Sequence, residues 1–178
     1  MFRRLAEDVR YRGPFLTVVG GRFEAADGDT FEREYLRHPG AVAVVALDEQ
    51  GRAVLVRQFR AAVNRDLLEI PAGLLDVDGE DPEDAARREL EEEIGRTAVG
   101  TLEPLVTYLP AAGMADHQVT IYLSRTSTPC DARPHGPEEG VMTIEHLSLD
   151  DVPAAIAAGE ISDGKSIVGL LLARELLG

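Results

Sequence analysis

Apolar positions along this chain fall mostly into short runs bounded by turn-forming residues. Leu16 to Val19 is rich in β-formers and runs into Gly20-Gly21, which predicts a strand closed by a turn. Ala41 to Leu47 (AVAVVAL) is almost wholly apolar and predicts a strand buried on both faces. Asp48 to Gly51 is a turn, and Ala53 to Gln58 predicts a second strand, so the pair reads as a hairpin. Leu67 to Ile70 predicts a short strand ended by Pro71-Ala72-Gly73. A helix follows. Further strands are expected near Leu105 to Leu109, Val119 to Leu123 and Met142 to Leu147, with a loop over Thr128 to Pro137. Two helices, near Asp151 to Ala158 and Lys165 to Leu177, end the pattern. This order of strands and helices predicts α/β (α+β) packing rather than regular βαβ repetition. Residues 1–38 read as a β-rich extension, and residues 39–178 as the main domain.

The first helix has well-marked ends. Asp81 suits the N-cap, Pro82 the first helical position and Gly95 the C-terminal stop. Asp84 stands at a capping-box position, and Glu83 and Asp84 complement the helix dipole. Ala86, Leu90 and Ile94 recur every four residues and form one inward stripe. Glu89, Glu92 and Glu93 stand at i, i+3 and i+4, so their carboxylates gather beside that stripe. Like charges so placed repel, and a hard divalent cation with oxygen ligands offsets this. Arg88 projects to a different side and is expected to pair with Glu80, locking loop to helix. Gly73, before this helix, lets a backbone approach closely.

The chain has 178 residues, enough for one domain with a full core, and a net charge of −14. The acidity argues against nucleic acid as a partner, because phosphate backbones are held by Lys and Arg patches. Small phosphates remain compatible if metal ions neutralise the carboxylates. Cys130 is the single cysteine, so no intramolecular disulfide forms, which fits a reducing compartment. The start, MFRRLAEDVR, lacks the apolar stretch of a signal peptide, and no run is long enough to span a membrane. Cytoplasmic location is the expectation.

Gly73, Glu80 and the run Arg88-Glu89-Leu90-Glu91-Glu92-Glu93-Ile94-Gly95 resemble the Nudix box, G-x5-E-x7-R-E-U-x-E-E-x-G-U with U aliphatic. From Glu80 to Gly95 the match is complete. Six residues rather than five separate Gly73 from Glu80, and Arg96 takes the closing aliphatic position. His38 to Val42, Leu55 to Arg60, Glu69 to Gly73 and Gly159 to Asp163 further resemble the ADP-ribose pyrophosphatase branch. The resemblance implies a Nudix fold, a mixed sheet sandwiched between helices, with residues 1–38 forming a homodimer. It implies hydrolysis of a nucleoside diphosphate derivative, ADP-ribose above all, with Mg²⁺ or Mn²⁺ as cofactor. Metal falls to Glu89, Glu93 and the Ala72 carbonyl, with Glu92 beside them as a metal and catalytic residue. Glu138, with Glu139 as second choice, is the implied catalytic base. Arg60, Arg33, Glu34, Gly73 and His117 are implied substrate contacts, and Glu80 and Arg88 are structural.

One loop departs from the branch. It reads Ala111-Ala112-Gly113-Met114-Ala115-Asp116-His117, with Ala112 where the branch has proline and His117 where it has an acid. That leaves room for a different substrate, such as a sugar nucleotide, NADH or a dinucleoside polyphosphate. A non-catalytic nucleotide sensor is the alternative from another class, against which stand the intact box glutamates.

Overall fold

The computed structural model describes residues 1–14, 16–131 and 141–178. The chain divides into two compact units, Met1–Gly40 with Leu109–Gln118, and Ala41–Tyr108 with Val119–Gly178.

The first unit is a three-stranded antiparallel sheet in the order β1 (Arg3–Arg12), β2 (Thr17–Glu24), β3 (Thr30–Arg37). Gly20-Gly21 does not turn the chain; both glycines sit in mid-strand, opposite Glu34 and Arg33 of β3. Their role is clearance. A Cβ on Gly20 would lie 2.5 Å from Arg10 Nε, and one on Gly21 would lie 2.8 Å from the Phe23 ring. The segment Leu109–Gln118 joins this sheet. Leu36 N–H donates to Met114 O at 2.8 Å, Arg37 Nη1 reaches Asp116 Oδ2 at 2.5 Å, and His38 N–H reaches Asp116 Oδ1 at 2.9 Å.

The second unit is built on β4 (Ala41–Leu47), the apolar run. It is flanked by β5 (Ala53–Arg60), antiparallel, and β10 (Val119–Ser124), parallel. With β9 (Glu103–Tyr108) and β12 (Thr143–Leu147) the sheet runs β12-β5-β4-β10-β9. β6 (Arg65–Glu69) pairs with β5, and β7 (Ala72–Leu74) pairs with β4. Both faces of this mixed sheet are covered. Val42, Val44 and Ala46 pack with Ala85, Ala86, Leu90 and Ile94 of α1 (Pro82–Ile94). Ala43, Val45 and Leu47 pack with residues of α2 (Val152–Ala157) and α3 (Gly164–Leu177). Alternate side chains of one strand therefore enter two cores, which is why its sequence shows no polar alternation.

Two elements depart from the sequence reading. Ala72-Gly73 is strand rather than closing loop, because β7 finds ladder partners at Val42 and Ala43. Part of the expected loop after Ser127 is also strand. β8 (Arg96–Ala98) and β11 (Ser127–Pro129) form a small ribbon, fastened by buried Arg96 on Ser127 Oγ at 2.8 Å and on Glu49 at 2.9 Å. Distant pairing of this kind leaves no local pattern.

The hairpin turn between β4 and β5 is held by Asp48, which is 3% exposed. Its carboxylate accepts from the Gln50 and Arg52 amides, from Arg52 Nε, each at 2.9 Å, and lies 2.8 Å from His146 Nδ1. Burial pushes its pKa up, but these bonds outweigh burial and hold it at about 2. Asp48→Asn is expected to cost about 3 kcal/mol in urea unfolding at pH 7, because one amide end faces donors with a donor. The folded pKa lies below the ordinary value of 3.8, so the stabilisation is full above about pH 4 and is lost as pH falls through about 2. Unfolding curves of the two proteins should converge across that window; a constant gap down to pH 2 would refute the assignment.

Candidate active site

Helix α1 starts as its sequence dictates. The Asp81 side chain accepts from Glu83 N–H at 2.8 Å, Pro82 opens the first turn, and Gly95 closes the helix in the left-handed conformation at φ 58°. Leu90 and Ile94 are drawn into the core, and this fixes the helix's rotation. Glu89, Glu92 and Glu93 are thereby set along the edge of the buried face.

Each glutamate has a defined surrounding. Glu89 is buried over β7, where a Cβ on Gly73 would lie 1.9 Å from its carboxyl carbon. Glu93 accepts from Ala72 N–H at 2.9 Å. Its pKa is pushed up to about 8, chiefly by burial; Glu89 adds to the rise, while the Ala72 amide, Lys165 and Arg60 oppose it. Arg88 spans three carboxylates. Its Nε and Nη2 each meet Glu80 at 3.0 Å, and its Nη1 meets Glu89 at 2.6 Å and Glu92 at 3.0 Å. The expectation that Arg88 turns away from Glu89 is therefore corrected. The guanidinium is long and forked enough to hold the loop carboxylate with one edge and the helix pair with the other. Glu80 is held below the ordinary carboxylate range by its bonds to Arg88.

Carboxylate oxygens are the donors that hard divalent cations prefer, so these three glutamates suit Mg²⁺ or Mn²⁺ by chemistry. The Gly73 cradle admits Glu89 where any other residue would exclude it. Among the described residues, however, no three acidic, His or Cys side chains already converge as a metal-holding group. Glu89 and Glu92 are turned onto Arg88, and Glu93 onto the Ala72 amide.

Arg60 lies at the end of β5, with Nε and Nη2 on Glu69 at 2.8 and 2.7 Å. Arg33, Glu34 and His117 belong to the first unit. Arg33 stacks over the Phe31 ring at 4.9 Å, Glu34 stands opposite Gly20, and the His117 ring lies 3.8 Å from that of His38. Glu138 and Glu139 lie outside the described residues. The sequence reading gave no role to Glu69, Asp163 or Lys165, which form an ionic array around the buried Glu69, beside Arg60. The available signal was an acidic residue inside the otherwise apolar run Leu67 to Ile70.

A box-type acidic helix beside a glycine-containing strand, on a mixed sheet covered by helices on both faces, defines a class that the comparisons identify. The NUDIX domain pattern matches residues 36–167, and the chain belongs to the NUDIX family; it is a Nudix hydrolase. It is 32% identical over 164 residues to an ADP-ribose pyrophosphatase of Bacillus subtilis, covering 92% of this chain and 88% of that protein. It is 35% identical over 171 residues to an ADP-ribose pyrophosphatase of Mycobacterium tuberculosis, covering 96% and 82%. A crystal structure of an ADP compounds hydrolase superposes with a TM-score of 0.85 at 22% identity, over 99% of this chain and 94% of that one, and supports the fold. Among the described residues, no helix is long and apolar enough to cross a membrane.

Proposed function

We propose that this Nudix pyrophosphatase hydrolyses the diphosphate linkage of a nucleoside diphosphate derivative, with ADP-ribose as the first substrate, giving AMP and ribose 5-phosphate. The carrying observation is the set of box glutamates on α1: Glu89 in the space a Gly73 side chain would fill, Glu93 on the Ala72 amide of the same strand, and Glu92 beside them on Arg88. The ADP-ribose pyrophosphatases among its relatives support the substrate.

Mg²⁺, or Mn²⁺ in its place, would be held by Glu89, Glu93 and the Ala72 carbonyl, with Glu92 alongside. Such an ion neutralises diphosphate charge and lowers the pKa of a bound water. The protein's own groups do the rest. Arg60 binds a phosphate oxygen, and Gly73, whose missing side chain admits Glu89, keeps the acidic edge close to the strand that faces the substrate. Glu138, or failing it Glu139, accepts a proton from the attacking water. The water oxygen bonds to one phosphorus, the bridging P–O bond breaks, and the bridging oxygen leaves with the other phosphate. The resemblance to the ADP-ribose pyrophosphatase branch is what assigns Arg33, Glu34 and His117 as substrate contacts. Residues 1–38 form a homodimer interface. β1 is exposed along its whole length and carries Val9 at 50% and Tyr11 at 58% exposure, with Phe2 just before it at 70%.

Product analysis tests this directly, with pure protein, Mg²⁺ and a panel of nucleoside diphosphate compounds. AMP and ribose 5-phosphate should appear fastest from ADP-ribose. Glu138→Gln should lower turnover by about 10²-fold; normal turnover would move the base to Glu139. The second reading, another diphosphate substrate, draws on the loop in which Ala112 and His117 replace the residues usual in the branch. Preference for a sugar nucleotide, NADH or a dinucleoside polyphosphate in the panel would select it. Calorimetric binding without turnover of any compound would instead indicate a sensor.

A further inference from the structure

Glu69 ends β6 as a carboxylate only 1% exposed. A charge so buried persists only where opposite charges and hydrogen bonds offset its lost hydration. Two cations do so. Arg60 forks onto it through Nε and Nη2, and the Lys165 ammonium donates to Oε2. Lys165 also reaches Asp163 Oδ2 at 3.0 Å. Asp163 caps α3, accepting from Ser166 N–H at 2.9 Å and Ser166 Oγ–H at 2.6 Å, and Ser166 Oγ accepts from Ile70 N–H at 2.9 Å. One connected array thus runs from the backbone after β6, through the start of α3, to the guanidinium on β5.

Two features exceed what a staple requires. Glu69 occupies one edge of Arg60, and among the described residues the Nη1 end has no partner, while 42% of the side chain stays exposed. A planar fork fixed along one edge presents its other edge at a set angle, as phosphate recognition needs. Further, three residues beyond Glu69 the chain donates Ala72 N–H to Glu93 at 2.9 Å, which places the array beside the acidic helix.

We propose that Glu69 and Lys165 are positioning residues of the diphosphate site: Lys165 fixes Glu69, and Glu69 holds Arg60 with its Nη1 edge presented to a substrate phosphate. This rests on the reading of Arg60 as a phosphate contact. With Lys165 in place, Glu69 and Asp163 are balanced by two cations. Without it, the two carboxylates act on Arg60 alone, so its charge is quenched and its geometry loosened. Phosphate binding then weakens in ground and transition states alike, which raises KM and spares kcat.

The test compares wild type, Lys165→Gln, Arg60→Gln and the double variant on ADP-ribose with Mg²⁺. Lys165→Gln should raise KM roughly tenfold with kcat within about twofold. In the Arg60→Gln background the same change should add less than about twofold, since its target is gone. Lys165→Arg, which keeps the charge, should restore most of the affinity. An unchanged KM in Lys165→Gln, or full multiplicative losses in the double variant, overturns the proposal. If Lys165→Gln melts below the assay temperature, Lys165→Met keeps the stem's packing and drops the charge. Should the wild type prefer another nucleoside diphosphate compound, the ADP-ribose reading falls and the comparison on that compound still decides the relay. Should it turn over none, inorganic pyrophosphate binding by calorimetry in the same proteins shows either pattern, and no binding by the wild type overturns the proposal.

Discussion

Glu93→Gln is expected to reduce kcat by about 10³-fold at saturating Mg²⁺ while leaving the fold intact. The two halves of this expectation have separate causes. The amide oxygen of glutamine can still accept the Ala72 N–H that Glu93 now receives at 2.9 Å, so the tie between β7 and α1 survives. With its pKa pushed up to about 8, Glu93 without metal is mostly the neutral acid at pH 7, so the equally neutral amide adds no burial cost. The unfolding midpoint in chelator should therefore hold or rise. Under the proposed metal role, activity requires an anionic oxygen at this point, which an amide does not supply. Single-turnover kinetics with thermal denaturation on the same sample checks both. A variant with normal kcat would remove Glu93 from the metal site, and one with a lower midpoint would show that the loss came from misfolding.

Gly73→Ala is expected to be nearly as harmful, although it adds one methyl group far from any strained backbone. The new Cβ would coincide with the Glu89 carboxyl, 1.9 Å from both Cδ and Oε1. Side-chain rotation alone is constrained, because Glu89 is buried and its carboxylate lies against Arg88. Either Glu89 swings off β7 or β7 withdraws from β4. Activity should fall by about 10²-fold, as a misplaced ligand of about 1 Å implies. Gly51→Ala is the matching control. Gly51 has φ 74° with open space around it, so alanine there should cost about 1 kcal/mol of stability and leave activity unchanged. Equal activities for both variants would mean that the Gly73 clearance has no catalytic use.

How much of this could be read beforehand depended on range. Helix α1 was legible because Asp81, Pro82 and Gly95 act on their own neighbours, and the acidic edge followed from the stripe of Ala86, Leu90 and Ile94. β4 was legible because seven consecutive apolar residues can be buried only under cover on both faces. Gly20 and Gly21 misled, since glycine that clears space for Arg10 and Phe23 resembles glycine that turns a chain. β7, and the ribbon of β8 with β11, needed partners far away in sequence. The Glu69 array escaped for the same reason. Lys165 follows Glu69 at a distance of 96 residues, and no periodicity marks such a pair.

The parallel pairing of β4 with β10 also bears on how the chain reaches this state. Ala41 aligns with Val119, and everything between must be accommodated before that ladder closes. The β4–β5 hairpin is local and can form early, whereas long-range parallel pairing is slow. Through that interval the open edge of AVAVVAL is an apolar, uncharged strand without proline, the kind that recruits another chain. Arrival of β10 ends that exposure, so refolding yield should fall with protein concentration far more steeply than the stability of the finished fold suggests.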